Sequence, residues 1–142
     1  MADAMKTTMR LFGRLNTAVY RATKGRLWSK IKGMPILLLT VKGRKSGKLH
    51  TTPVVYFQDG RDYVVTGSAN GRPIEPDWFR NLRAADTASV EIGGFCFEAT
   101  ITVADPEQRA QLWTQLMKHG PFFEDYQAKT ERQIPMAVLT PR

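Results

Sequence analysis

The run Pro35-Ile-Leu-Leu-Leu-Thr-Val41 constrains this chain more than any other stretch of it. It is apolar at nearly every position and has the length of a strand, with Gly33 before it and Gly43 after it. A strand that is apolar on both faces is a buried one, so other elements must flank and cover it. The run is far short of the ~20 residues needed to cross a bilayer.

The flanking strands are legible. Residues 52–57 and 62–66 are β-rich runs joined by Gln58-Asp-Gly-Arg61, a hairpin signal. Residues 88–92 and 95–103 form a second hairpin across Gly93-Gly94. In its second arm Phe95, Phe97, Ala99, Ile101 and Val103 alternate with mostly polar residues. Residues 134–139 read as a closing strand. Pro76 suits the first turn of a helix running to about Ala85. Asp105-Pro106-Glu-Gln108 carries a capping Asp, a Pro at the first helical position and a Gln three residues after the cap. That helix runs to His119, where Gly120-Pro121 ends it, and a short helix follows over 122–129. Meandering strands with few helices between them favour an antiparallel α+β barrel over a parallel sheet.

Residues 5–22 read as an amphipathic helix: Met5, Met9, Phe12, Leu15, Val19 and Tyr20 share one arc, and Lys6, Arg10, Arg14, Arg21 and Lys24 lie opposite. The expected organisation is one domain, with an N-terminal helical segment over 1–33 and a barrel over 34–142. Charge is lopsided. Residues 1–48 carry 12 of the 21 Lys and Arg but one of the 13 Asp and Glu, so an anionic partner belongs at this third of the chain. Three placements stay open for residues 5–24: on an anionic membrane surface, as a cap on the barrel, or as a cover over the substrate pocket. No nucleic-acid-reading motif accompanies the charge. The single cysteine, Cys96, suits a reducing, cytoplasmic setting and reads as an inert strand thiol. His50, His119 and Cys96 do not have metal-ligand spacing, so no metal is expected.

The basic turn Gly43-Arg44-Lys45-Ser46-Gly47-Lys48 fails as a nucleotide phosphate loop. Three residues rather than four separate its glycines, and Leu49 stands where Ser or Thr is needed. Two readings remain open: a cradle for phosphate or carboxylate, or a solvated hairpin turn. Gly67-Ser68-Ala69-Asn70-Gly71 lacks the G-x-S-x-G nucleophile pattern and reads as a flexible loop. On the 76–85 helix Trp78 and Leu82 form a packing stripe, while Asn81 lies off it and is free to donate to a ligand. Phe122, Phe123 and Tyr126 fit either core or pocket.

Several segments occur in an order that carries more than each alone. They are Gly43-Arg-Lys-Ser-Gly47, Thr52-Pro53, Gly67-Ser68, Pro76-x-Trp78-x-x-Asn81-Leu82, Arg109-x-x-Leu-Trp113, the stretch from Pro121 to Tyr126, and Thr130-x-Arg132-x-Ile-Pro135. Together, over about residues 10–141, they resemble the deazaflavin-dependent nitroreductase family, the split-β-barrel flavin and deazaflavin oxidoreductases of actinobacteria. The resemblance implies a mostly antiparallel split β-barrel with helices packed on it. It also implies coenzyme F-420, an 8-hydroxy-5-deazaflavin with an oligoglutamate tail, as hydride source for an electron-poor acceptor: a quinone, an enone or unsaturated lactone such as a coumarin, or a nitro compound. By position, residues Gly43, Arg44, Lys45, Ser46, Gly47 and Lys48 would hold the phosphate and tail. Thr52, Pro53 and Val54 would line the deazaflavin, and Ser68, Ala69, Trp78 and Asn81 would complete the groove. Ser68, Phe123 and Tyr126 would face the acceptor. No catalytic side chain is assigned, because the cofactor carries the chemistry. An FMN-dependent split barrel and a non-catalytic cofactor or lipid carrier are the alternatives.

The chain departs from the family's better-known nitroreductase at four places. His50 stands for an Arg, Ala69 for a Lys, and Gly120 and Phe123 each for a Tyr. The first two remove cations from the tail site. The last two imply an acceptor pocket that is more open and less polar, favouring quinone, enone or lactone reduction over nitroimidazole reduction.

Overall fold

The computed structural model describes residues 17–18, 20–21 and 30–142. Most of the amphipathic segment, 5–16, 19 and 22–24, therefore lies outside the described residues. Seven strands follow in order: β1 (Lys30–Ile31), β2 (Met34–Lys42), β3 (Leu49–Asp59), β4 (Asp62–Thr66), β5 (Thr87–Ile92), β6 (Phe95–Val103) and β7 (Met136–Pro141). Among the described residues, α1 (Asp77–Arg83), α2 (Pro106–His119) and α3 (Phe123–Ala128) accompany them, with a 3-10 turn at Ala69–Gly71 and helical residues at 17–18 and 20–21. Every strand pairing is antiparallel, in the order β1-β2-β3-β4-β7-β6-β5. A further ladder between β2 and β5, with Leu38 opposite Glu91, closes six strands into a barrel. The expected α+β antiparallel barrel is the observed one.

The apolar run explains itself in this setting. Leu37, Leu39 and Val41 point into the barrel, among Val54, Val65, Val90, Ala99, Ala137 and Leu139. On the outer face Ile36 and Leu38 are covered by Tyr20, so both faces of β2 are buried. Tyr20 is a neutral anchor: burial is the main cause raising its pKa, while its hydroxyl donates to Ile36 O at 3.2 Å and accepts from Gly93 N at 2.8 Å. A second core beneath α2 and α3 joins Met34, Phe57, Val64, Leu112, Leu116, Phe123 and Met136.

Several boundaries differ from the sequence expectation, each for a local reason. β1 was not expected, and Lys32 (φ 50) with Gly33 (φ 84) makes the two-residue positive-φ turn that joins it to β2. β1 is an extra strand outside the six that close the barrel, and the first barrel strand begins at Met34. β3 starts at Leu49 rather than residue 52, because residues 49–51 continue the ladder with β2. Pro76 is extended (φ −64, ψ 149) and caps α1 from outside instead of occupying its first turn. Phe122 likewise precedes α3, and β7 begins at Met136, two residues after Ile134. The α2 cap is as expected: Asp105 Oδ1 accepts from Gln108 N at 2.8 Å.

Candidate functional site

β3 is the strand that positions the site. Residues 49–55 pair with β2 on one edge, whereas β4 pairs only with residues 56–59. Among the described residues no strand lies beside the other edge between Leu49 and Val55, so its main-chain groups are available to another partner. Thr52, Pro53 and Val54 all fall in this stretch. An edge is also where a strand tolerates a proline, which has no N–H for the ladder.

The basic turn precedes that open edge and is tightly built. Gly43 N donates to Lys48 O at 2.7 Å and Gly47 N to Gly43 O at 2.9 Å. Ser46 Oγ accepts from Lys48 N at 3.2 Å. Gly43 lets its neighbours come close: a Cβ there would stand 2.8 Å from Ser46 Oγ and 2.9 Å from His50 Nε2. Arg44 turns inward. Its backbone N and its Nη1 both donate to Asn81 Oδ1, at 3.1 and 2.7 Å, and its Nη2 lies 3.5 Å from Asp77 Oδ1. Asn81 is buried, and its carbonyl oxygen is held by Arg44 rather than left for a ligand. Lys45 and Lys48 are exposed. The turn is thus pinned to α1 by Arg44 while its lysines face solvent. Trp78 is half-buried on the same helix, edge-on to Phe79 at 5.5 Å.

The loop after β4 forms the next wall. Gly67 sits directly under Phe79, and a Cβ would lie 2.7 Å from the ring. Ser68 is buried, and Ala69 (φ 49), Asn70 (φ 56) and Gly71 (φ 81) all take left-handed conformations. Two non-glycine residues in that region are strained and need an outside hold. Arg132 supplies it: the guanidinium donates to Gly67 O at 3.2 Å, Ser68 O at 2.9 Å and Arg72 O at 3.0 Å. Gln127 in turn donates to Arg132 O at 2.8 Å and accepts from Arg109 at 3.0 Å. Arg109 and Arg132 stood in the sequence motif, but their work as loop struts was not visible there.

At the far side of the loop stands α3. A Cβ on Gly71 would lie 2.7 Å from Tyr126 O, which measures how closely loop and helix approach. Phe122 and Phe123 stack at 4.7 Å, and Tyr126 meets both edge-on, at 5.9 and 5.6 Å. Phe123, expected to face the acceptor, is 2% exposed and belongs to the second core. Phe122 and Tyr126 are the half-buried rings of this wall. Lys32, which sequence reasoning assigned no role here, reaches across from the β1–β2 turn and donates to the Tyr126 hydroxyl at 3.0 Å. The expectation that Gly120 opens the pocket is corrected by packing. Gly120 is buried, and a Cβ would stand 3.1 Å from Phe122 and 3.2 Å from Phe123 and overlap Met34 Sδ. The space of a larger residue is filled.

A separate groove on the outer face of β2, β5 and β6 includes Arg21, Ser89, Glu91 and Glu98. Its carboxylates are already paired, Glu91 with Arg21 at 3.4 Å and Glu98 with Ser89. Cys96 there donates to Glu91 at 3.5 Å, consistent with an inert thiol. None of the expected site residues lies in it. No group of three or more metal-ligating side chains occurs among the described residues.

The assembled site is a barrel opened along one strand. A pinned cationic turn lies where the open edge begins, and Val55, where it ends, packs on the cluster that carries Phe122 and Tyr126. This is a split barrel suited to a flat, anion-tailed molecule, and the residues fit a deazaflavin coenzyme: exposed lysines for carboxylates, a free main-chain edge for a planar ring. Comparison with known proteins agrees. Residues 11–141 match the family described as F420H(2)-dependent quinone reductase. A Mycobacterium tuberculosis protein of that description is 35% identical over 133 residues, covering 91% of this chain and 89% of the relative. A solved F420-H2 dependent reductase superposes with a TM-score of 0.67 at 32% identity, over 74% of this chain and 93% of its own. A second structure, described as a domain-swapped dimer, gives 0.69 at 28% identity and covers 96% of both chains. The haem storage protein of Vibrio cholerae, at 16% identity and 0.53 over 75% of this chain and 81% of its own, shares the fold alone. The chain belongs to the F420H(2)-dependent quinone reductase family.

Proposed function

We propose that this protein is a reductase that uses reduced coenzyme F-420 to reduce small quinones. The observation that carries this reading is the open edge of β3, residues 49–55, set between the pinned basic turn and the aromatic wall of α3. Lys45 and Lys48 would bind the tail carboxylates, with Arg44 as the strut that fixes the turn. Thr52, Pro53 and Val54 would present main-chain groups to the ring system, and Ser68, Ala69 and Trp78 would close the groove around it. When bound, the reduced coenzyme supplies a hydride. The protein's own residues orient the ring, limit water and hold the acceptor against Phe122 and Tyr126.

Quinones head the acceptor list because Phe122 and Tyr126 offer flat apolar area with one hydroxyl. Enones and unsaturated lactones such as coumarins meet the same demands. Nitro compounds follow, since the changes from Tyr at Gly120 and Phe123 leave Tyr126 as the phenol of this wall. Tyr20 bears on the barrel through Ile36 and Leu38. Arg21 of the basic side pairs with Glu91; its other cations, Lys6, Arg10, Arg14 and Lys24, would remain for an anionic lipid surface, which co-sedimentation with anionic vesicles tests. Among the described residues no helix is long and apolar enough to cross a membrane.

The direct test is a titration of the purified protein with oxidised and reduced coenzyme, followed by tryptophan fluorescence. Saturable binding in the micromolar range is expected. Absence of binding to either form would overturn the reading, and a tightly held yellow flavin after purification would point to FMN instead.

A further inference from the structure

We propose that Lys32 determines acceptor specificity, selecting flat ring compounds that carry an ionised oxygen, such as hydroxyquinones, over neutral quinones of the same size. The proposal rests on the acceptor reading of α3 given above, and names the substrate class that this wall prefers.

Lys32 is an unusual place for a lysine. It occupies the first position of the two-residue turn between β1 and β2 at φ 50, a left-handed conformation that Asn, Asp or Gly adopts more readily. Its side chain lies across the aromatic wall, with Nζ 4.8 Å from the Phe122 ring centroid, 5.2 Å from that of Tyr126 and 3.0 Å from the Tyr126 hydroxyl. A second ammonium, Lys129 Nζ, lies 5.8 Å from the Tyr126 ring. Glu124 and Asp125 are exposed on α3, but neither forms an ion pair with Lys32 or Lys129 among the described residues.

Among the described residues, Lys32 and Lys129 bring ammonium donors to this wall and Tyr126 a phenol. An ammonium has three N–H donors and no acceptor, and Lys32 places one of them on Tyr126. A phenol oxygen that accepts from an ammonium turns its own O–H elsewhere and becomes a better donor. The Lys32–Tyr126 pair therefore offers donors and positive charge beside an apolar ring face. A ligand that satisfies it has a flat ring, for Phe122 and Tyr126, and an oxygen that accepts hydrogen bonds and carries negative charge. A neutral quinone meets the first demand and only half of the second.

Equilibrium binding separates the cases without turnover. The protein saturated with oxidised coenzyme, which cannot deliver a hydride, is titrated with 2-hydroxy-1,4-naphthoquinone, ionised at neutral pH, and with neutral 1,4-naphthoquinone. Wild type is expected to favour the ionised probe by about tenfold, the scale of one charged hydrogen bond discounted for exposure. Lys32→Met and Lys32→Asn, the latter suited to the positive φ of the turn, should both reduce that preference to under about threefold, and Lys32→Arg should retain most of it. No preference in wild type, a preference unchanged in both neutral variants, or a preference lost in Lys129→Met but kept in Lys32→Met would each overturn the proposal. If the coenzyme does not bind at all, the reductase reading has failed, and the same titrations on the protein alone still decide the role of Lys32.

Discussion

The turn before β2 and the turn after it are both basic, yet they place their cations differently. At the first, Lys32 lies over Phe122 and Tyr126 and gives a hydrogen bond to a phenol. At the second, Arg44 is drawn inward to Asn81 and Asp77, while Lys45 and Lys48 stay exposed. The nine residues of β2 hold the two turns roughly 26 Å apart at ~3.3 Å per residue. One strand thus carries an exposed cation laid over aromatic rings at one end and a fixed display of cations at the other. In the proposed reading the acceptor uses the first end and the coenzyme tail the second, so the two should respond to different substitutions.

The largest effect is expected from Asn81→Ala. It removes the acceptor of two Arg44 donors in a half-buried place, costing about 1–3 kcal/mol. Thermal unfolding should shift down by roughly 3–10 °C, with coenzyme affinity falling and the menadione KM unchanged. A stable variant with normal coenzyme affinity would break the claim that Arg44 is a strut. Next comes Lys45→Ala combined with Lys48→Ala. Removing these two exposed ammonium groups should weaken coenzyme binding by about tenfold and flatten its salt dependence, without a change in thermal stability. Equal affinity at low salt would reduce the turn to a solvated loop.

At the other end, Tyr126→Phe should lower kcat/KM for menadione by about three- to tenfold, one neutral hydrogen bond's worth, and leave the coenzyme Kd unmoved. A collapse of coenzyme affinity would place Tyr126 in the wrong half of the site. The smallest effect belongs to Gly33→Ala. Its φ of 84 disfavours a side chain although the space is open, so a loss of about 1 kcal/mol is expected by chemical denaturation.

What could be read in advance follows the range of the interactions involved. Local patterns were legible: the alternation of β6, the glycine turn before it, and the Asp105 cap of α2, which is a contact three residues long. Contacts distant in sequence were not. The ladder of β2 with β5 that closes the barrel joins Leu38 to Glu91, the strut of the basic turn joins Arg44 to Asn81, and the polar contact on the aromatic wall joins Lys32 to Tyr126. Asn81 lies off the Trp78–Leu82 stripe, and the donor to its carbonyl oxygen, Arg44, lies 37 residues away in the chain. Gly120 shows the converse failure. A missing side chain suggests a void, yet Met34, from the start of β2, fills it.

Whether this split barrel works as a deazaflavin-dependent quinone reductase is decided by steady-state turnover. Reduced coenzyme F-420 and menadione are mixed with catalytic amounts of the protein, and the return of oxidised-coenzyme absorbance is followed. The expected result is a rate proportional to protein and saturable in both reactants. A rate no greater than that without protein, from a sample that binds the coenzyme, would contradict the reductase reading and make the protein a carrier.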